Sequence, residues 1–321
     1  MFSIDQYNAA HHSAVLVDRS SQGTIAVTGR DRASFLHALL TNDIASLAQG
    51  RGVYAAYLTP QGRMISDMRV VETGNRMLMN VERGVAAPLA ERFDTLVFSE
   101  DVLAKDVTGD LAAVGVHGPS AARMIQRATG MSVIDLAAQY DNITSGSLTL
   151  VRDDALGLPG YDVYVPASDA EAMRAKLIEA GAVTASEETA ETLRIEAGRP
   201  LFGIDMNTDT IPLEAGIEDR AISFTKGCYV GQEVIIRVMH RGHGRVARRL
   251  VSIVLSGGTV PARGSNIQIG DRVVGAITSA TVSPRLGAPL ALGYVQRDHA
   301  SPGTELTVNG SQARVYQQTM S

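Results

Sequence analysis

Residues 226–233 read Lys226-Gly227-Cys228-Tyr229-Val230-Gly231-Gln232-Glu233, and Cys228 is the sole cysteine of the chain. A free thiol is usually a small buried hydrophobe, and its reactivity rather than its packing decides whether it matters. Here Gly227 and Gly231 permit a close backbone approach on either side. Lys226 lies just upstream, and Arg237, His240, Arg241, His243, Arg245, Arg248 and Arg249 follow. Cations near a thiol favour the thiolate, the nucleophilic and metal-ligating form. Lys226 is therefore expected to bias Cys228 toward thiolate, with Gln232 and Glu233 orienting the loop by hydrogen bonds.

Working outward, the charge is unevenly spread. Between Lys226 and Arg249 six Lys/Arg face one acid, Glu233, in a chain whose formal net charge is -5. Such a segment is a local anion site or a solvated linker between domains rather than a general nucleic-acid coat. RNA contact through residues 237–249 stays open as a third functional class, and it would weaken steeply with salt. Cys228, His240 and His243 could supply three metal ligands, but their spacing fits no standard zinc site, so no permanent metal is expected. One cysteine excludes an intramolecular disulfide and a CxxC pair. Residues 1–20 show no signal pattern, and no apolar run nears the roughly 20 residues that span a bilayer. A cytoplasmic protein without membrane contact is the expectation.

The chain divides into three zones. Residues 1–110 read as an α+β domain: a strand at 24–28, a helix after Asp31, a hairpin of 64–72 with 76–81 around Thr73-Gly74-Asn75, and a helix over about 84–97. Residues 111–245 repeat the mixture and end in the octet loop. They hold a strand at 161–165 and two helices, one opened by a Ser168/Glu171 capping box, the other by Thr184/Glu187. Residues 246–321 read as short strands at 250–255, 272–282, 290–295 and 305–316, separated by Gly, Pro and Asn-Gly signals. That spacing predicts a small antiparallel β-barrel. Without a strict βαβ rhythm the class is α+β.

The octet resembles the signature of YgfZ-type folate-binding proteins, relatives of the glycine cleavage T-protein (aminomethyltransferase). A colinear series extends the resemblance over nearly the whole chain: Asp18-Arg19-Ser20, Gly29-Arg30-Asp31, Thr41-Asn42-Asp43, residues 59–67, His117-Gly118-Pro119, residues 160–166, residues 193–198, Gly203-Ile204-Asp205, Pro212-Leu213-Glu214 and Leu292-Gly293-Tyr294-Val295. The resemblance implies a T-protein-like multidomain ring binding tetrahydrofolate or a one-carbon derivative. It also implies a part in iron–sulfur cluster assembly or maintenance, without classical turnover, in which Cys228 is the working thiol. A cluster normally takes four thiolates. Cys228 would then be a transient iron ligand, its cluster completed by client or assembly proteins, glutathione or folate.

The competing expectation is tetrahydrofolate-dependent aminomethyl transfer, or a related demethylation. In T-proteins the segment matching residues 65–68 carries two adjacent acids, one catalytic; here the pair is Ser66-Asp67, and an acid of their glycine-rich turn is replaced by Leu158. Asp67 remains as a proton acceptor. Asp162 matches an acidic position that contacts the pterin, and Arg194 matches a neighbouring position of the family motif. A pterin asks for a carboxylate that accepts its N–H donors in an apolar slot. On the residues alone, Asp162 reads as an outward strand residue, and Arg194 is also a helix partner of Glu191.

Overall fold

Residues 64–72 alternate strictly at first: Met64, Ser66, Met68 and Val70 are buried, while Ile65, Asp67 and Arg69 are half-buried. A period of two marks a strand between unlike environments. The computed structural model, which describes residues 1–241, 245–257 and 259–317, shows what those environments are.

Numbered along the chain, α1 (Ile4–His12) and β1 (Val15–Asp18) precede β2 (Gln22–Thr28), α2 (Arg32–Leu39), β3 (Gly52–Leu58), β4 (Met64–Glu72), β5 (Met77–Glu82), α3 (Arg83–Asp94) and β6 (Leu103–Asp106). Next come β7 (Leu111–His117), α4 (Ala121–Thr129), β8 (Asn142–Ser145), β9 (Leu148–Arg152), β10 (Gly160–Pro166), α5 (Ala170–Glu179), β11 (Val183–Thr184) and α6 (Glu187–Glu196). Short helices α7 (Pro212–Ala215), α8 (Glu218–Ala221) and α9 (Gln232–Ile236) lead to β12 (Arg248–Leu255), β13 (Asn266–Ile269), β14 (Arg272–Ser283), β15 (Ala288–Gln296), β16 (Glu305–Val308) and β17 (Ser311–Tyr316).

The first sheet has the order β3-β4-β5-β2-β6, the second β11-β1-β7-β10-β9-β8, and the C-terminal strands close a six-stranded barrel, β12-β15-β14-β13-β16-β17. Apart from the parallel β1–β11 pair, the ladders are antiparallel. The fold is the α+β class with a C-terminal antiparallel barrel that the sequence predicts.

Each of the first two sheets hides one face beneath helices. Met68, Val70 and Met79 pack under Phe35 and Leu36 of α2 and Phe93 of α3. Val114, Val116 and Val163 pack under Met124, Ile125 and Leu177 of α4 and α5. Each such side chain is worth about 1.5–3 kcal/mol of burial. The opposite faces share a further core that includes Tyr54, Ala56, Val151, Tyr164, Met206 and Ile217. The barrel is held by α6, whose Ile195 packs on Leu290 and Leu292.

Local expectations are corrected at several ends. Thr184 lies in β11, and α6 is capped instead by Ser186, whose Oγ accepts from the Thr189 amide at 3.2 Å. Asp31 occupies the N-cap position of α2 without capping it; its carboxylate accepts from the Asp101 amide at 2.8 Å. Ser168 lies in a tight turn ahead of α5 and donates to Asp169 rather than forming a capping box. The stretch 305–316 is two strands, because Asn309 and Gly310 take positive φ values of 49° and 79° and reverse the chain. No helix among the described residues is long and apolar enough to cross a membrane.

Candidate functional site

Because β4 alternates, Asp67 and Arg69 project from the face turned toward the second sheet, joined by Tyr54, which lies directly opposite Arg69 on β3. The Tyr54 hydroxyl donates to Asp67 Oδ2 at 2.5 Å. Burial pushes the Asp67 carboxyl above the usual carboxylate range, against the pull of the Tyr54 hydrogen bond and of Arg69. Burial likewise drives the Tyr54 phenol well up, and the Asp67 charge adds to it. Ser66 points the other way: it is fully buried, and its Oγ donates to the Asp67 carbonyl at 2.8 Å. A carboxylate at that position would therefore lie on the strand's opposite face.

Arg69 reaches across to the second sheet, with Asp153 Oδ2 at 2.7 Å and Asp162 Oδ2 at 3.2 Å. Arg19, just past β1, donates Nε to Asp162 Oδ1 at 2.9 Å and lies 3.4 Å from Asp153. It also donates to His117 Nε2 at 2.8 Å. An arginine cannot accept, so Nε2 is the acceptor and Nδ1 carries the proton. Small residues make the room. A Cβ on Gly115 would stand 2.8 Å from Arg19 Nε and 3.1 Å from Asp162 Oδ1, and one on Gly160 would collide with His117 Nδ1. Burial, then Arg19, holds His117 down at about 3, so its ring is neutral. Burial acts to raise Asp153, but Arg69 and Arg19 outweigh it and hold the carboxyl at about 2. Asp162 is moved up, first by burial and then by Asp153 beside it, against Arg19.

In front of this cluster a cavity of about 310 Å³ opens between the sheets, lined by Asn42, Val53, Tyr54, Gln139, Tyr140, Asp154, Arg199 and Arg220. Such a volume suits a small molecule with aromatic walls and a few polar contacts. Tyr140 takes a positive φ of 66°, an outlier for a bulky residue.

The octet lies elsewhere on the first sheet's rim. Cys228 is exposed. Lys226, expected beside the thiol, gives its Nζ donors to the carbonyls of His37, Leu40 (2.6 Å) and Asn42 (3.1 Å), with the Tyr229 ring 5.1 Å away. Burial pushes this ammonium down to about 8. Lys226 thus ties the loop to the end of α2. Gly231 makes a close backbone approach: φ is +84°, and a Cβ there would meet the Thr59 carbonyl at 2.5 Å. Gly227 does not, since a Cβ would find nothing within 4 Å. No side-chain hydrogen bond of Gln232 or Glu233 orients the loop among the described residues; the Gln232 amide does so, donating to the Tyr229 carbonyl at 3.2 Å. Tyr229 is buried, and that burial lifts its phenol to about 12.

Arg194 stands in a separate network. Its guanidinium pairs with Glu191 at 2.5 Å and Asp205 at 2.7 Å and donates to Ser279 at 2.9 Å, fastening α6 to the barrel. Arg248 pairs with Glu214 at 3.1 Å and lies over the Tyr294 ring, and Arg249 is 3.9 Å from Glu218. The side chains of His240 and Arg241, and all of His243, lie outside the described residues. Among those described, no group of three or more His, Cys, Asp or Glu could hold a metal.

Sequence reasoning passed over Tyr54, Arg69, Asp153 and Arg220. Arg69 had a signal, since it stands two residues beyond Asp67 on one strand and so on the same face. Arg19 and His117 sat inside stretches already singled out, without a role. Tyr140 and Asp153 carried no signal, because only tertiary folding brings them to the cavity.

A mixed α/β N-terminal region followed by a closed antiparallel barrel defines the GcvT-like fold. The GCVT N-terminal domain model matches residues 2–226, and that of the glycine cleavage T-protein C-terminal barrel domain matches 248–319. The chain belongs to the glycine cleavage T-protein family. It is 30% identical over 309 residues to an aminomethyltransferase of Streptomyces avermitilis, covering 94% of this chain and 83% of that protein. An aminomethyltransferase of Rubrobacter xylanophilus is 29% identical, over 90% of this chain and 78% of that one. The crystal structure of the glycine cleavage system aminomethyltransferase T from Bartonella henselae shares the fold, with a TM-score of 0.90 at 21% identity over 99% of this chain and 89% of its own.

Proposed function

We propose that the chain binds a reduced folate in the cavity between its first two sheets and acts on a folate-borne one-carbon unit, as a tetrahydrofolate-dependent aminomethyltransferase or a related demethylase. One observation carries the reading: Asp67, a desolvated carboxyl with a raised pKa, is held by Tyr54, which lines the cavity. A base tuned upward from the ordinary carboxylate range suits proton transfer near neutral pH. Asp67 accepts the proton that a folate nitrogen releases as it bonds to the incoming carbon, whose bond to its donor atom breaks with the electron pair staying on the donor, while Tyr54 fixes the carboxylate's orientation. The absence of a second acid at Ser66 does not count against turnover, since that side chain faces away from the cavity. Asp162 acts through Arg69 and Arg19, which occupy both its oxygens, and so positions the wall rather than touching the pterin. Relatives named aminomethyltransferase support this reading.

Calorimetric titration with tetrahydrofolate, paired with an aminomethyl-transfer assay, tests it. Binding should be present, Asp67→Asn should abolish turnover while keeping affinity, and Cys228→Ala should do little. An absence of tetrahydrofolate binding, or full turnover by Asp67→Asn, refutes it.

The exposure of Cys228 on a loop pinned by Lys226 and Gly231 favours a second reading, the YgfZ-type accessory role toward iron–sulfur proteins. There the thiol meets a client or assembly partner that completes the coordination of a transient cluster. Cys228→Ala should then depress iron–sulfur enzyme activity in cells and leave folate affinity unchanged. Unimpaired iron–sulfur enzymes in that strain rule it out.

A further inference from the structure

Among the described residues Arg220 forms no ion pair, although Asp67 is near enough to feel its charge. Arg220 lies on α8, with its Cζ 5.2 Å from the centre of the Tyr54 ring, on the wall of the cavity. No carboxylate among the described residues comes within ion-pair distance of it, and its guanidinium makes no hydrogen bond to any of them. Most other partly buried arginines do have partners: Arg19, Arg32, Arg69, Arg174 and Arg194 each pair with an acid. Its backbone is nonetheless fixed. Asn42 Nδ2 donates to the Arg220 carbonyl at 3.0 Å, and Thr41 Oγ1 donates to the next carbonyl, that of Ala221, at 2.6 Å.

A second guanidinium faces the same space. Arg199 lines the cavity, its Nε is buried without a partner, and its contact with Asp154 is 3.5 Å. Two guanidiniums with free donors, one stacked on a tyrosine, ask for a planar anion. We infer that Arg220, assisted by Arg199, is the carboxylate-recognition element of this cavity, so that its ligand carries a carboxylate to the Tyr54 wall. The inference rests on the folate reading for its chemistry. The carboxylate comes either from the glutamate tail of the folate or from a separate N-methyl amino acid whose methyl group passes whole to the folate nitrogen, the amine keeping the electron pair of the broken bond and gaining a proton. Asp67 feels the charge of Arg220 but lies beyond ion-pair distance of it, and Tyr54 already occupies its Oδ2.

The test measures binding of tetrahydrofolate, of 6-methyltetrahydropterin, which lacks the tail, of p-aminobenzoylglutamate and of N-methylglycine, to wild type, Arg220→Gln and Arg220→Lys. Loss of a charge-assisted pair should weaken the carboxylate ligand about tenfold to a hundredfold. Arg220→Lys should restore part of that loss, and affinity for the tail-less pterin should not change. If tetrahydrofolate and p-aminobenzoylglutamate weaken, the tail is the source; if only N-methylglycine weakens, the donor is. Unchanged affinity of Arg220→Gln for all three carboxylates overturns the inference while leaving the folate reading intact. Wild type that binds p-aminobenzoylglutamate through Arg220 but not tetrahydrofolate sustains the inference and sinks the folate reading.

Discussion

Two glycines four positions apart in one loop should respond in opposite ways to the same substitution. Gly231 has φ +84°, where an L-residue loses roughly 1–2 kcal/mol. An added Cβ would also stand 2.5 Å from the Thr59 carbonyl and 3.0 Å from Leu58 Cβ, atoms of a strand end that cannot swing aside. Forced overpacking of this kind adds about 1–3 kcal/mol. Gly231→Ala should therefore cost about 2–5 kcal/mol, or be relieved by lifting α9 away from the turn at residues 59–62. At Gly227 a Cβ meets nothing within 4 Å. Gly227→Ala should be neutral or stabilise by about 0.4–1 kcal/mol, through lower entropy of the unfolded chain. The readouts are urea midpoints, hydrogen exchange of the α9 amides, and the rate at which an aromatic disulfide labels Cys228. Gly231→Ala should speed exchange in α9 and change the labelling rate, whereas Gly227→Ala should leave exchange alone. Equal effects of the two substitutions would refute the claim that this loop is fixed by its contact with residues 58–62.

Arg69→Ala leaves Asp153 and Asp162 with Arg19 alone and should destabilise by about 3–5 kcal/mol, read as a fall in the urea midpoint. Burial, then Arg19, holds His117 down at about 3 in the fold against an ordinary imidazole value of 6.5. Between those limits the unfolded chain binds a proton that the folded one refuses. Stability should thus fall as pH drops from 6.5 toward 3, by about 1.4 kcal/mol per pH unit, and His117→Asn should flatten that slope. Tyr54→Phe removes a hydrogen bond that lowers the Asp67 pKa, so the acid limb of the pH–rate profile should move to higher pH. Lys226→Met leaves three carbonyls without their donor and should speed Cys228 labelling several-fold.

The fold was legible where side-chain period and turn chemistry agree. Alternation over residues 64–72, the Thr73-Gly74-Asn75 turn and the spaced barrel strands all read correctly, because each is set by local sequence. Helix starts were less legible. Thr184, Asp31 and Ser168 all had the right chemistry for caps, yet each found another partner or element. A capping oxygen competes with every nearby amide, and only folding decides which amide is nearest. Strand β13 escaped notice because Asn266–Ile269 is too short to show a period.

For the site, the sequence pointed to a thiol and the structure adds a cavity, and the two are mechanically joined. Lys226 of the octet holds the carbonyls of Leu40 and Asn42. Within the same short segment, Thr41 and Asn42 hold the carbonyls of Ala221 and Arg220, and Asn42 Nδ2 also donates to the Tyr54 carbonyl at 2.8 Å. Residues 40–42 are thus a shared strut, with the cysteine loop on one side and Tyr54 and Arg220 on the other. A ligand bound at Arg220 is expected to tighten this strut and, through Lys226, the loop carrying Cys228. Composition and motif spacing could not expose this link, because every bond in it runs between a side chain and a backbone carbonyl, and carbonyls leave no trace in a sequence. Folate binding and thiol chemistry therefore need not be rival readings of the chain. Coupling through the strut predicts that tetrahydrofolate changes the rate of Cys228 labelling, and an unchanged rate refutes it.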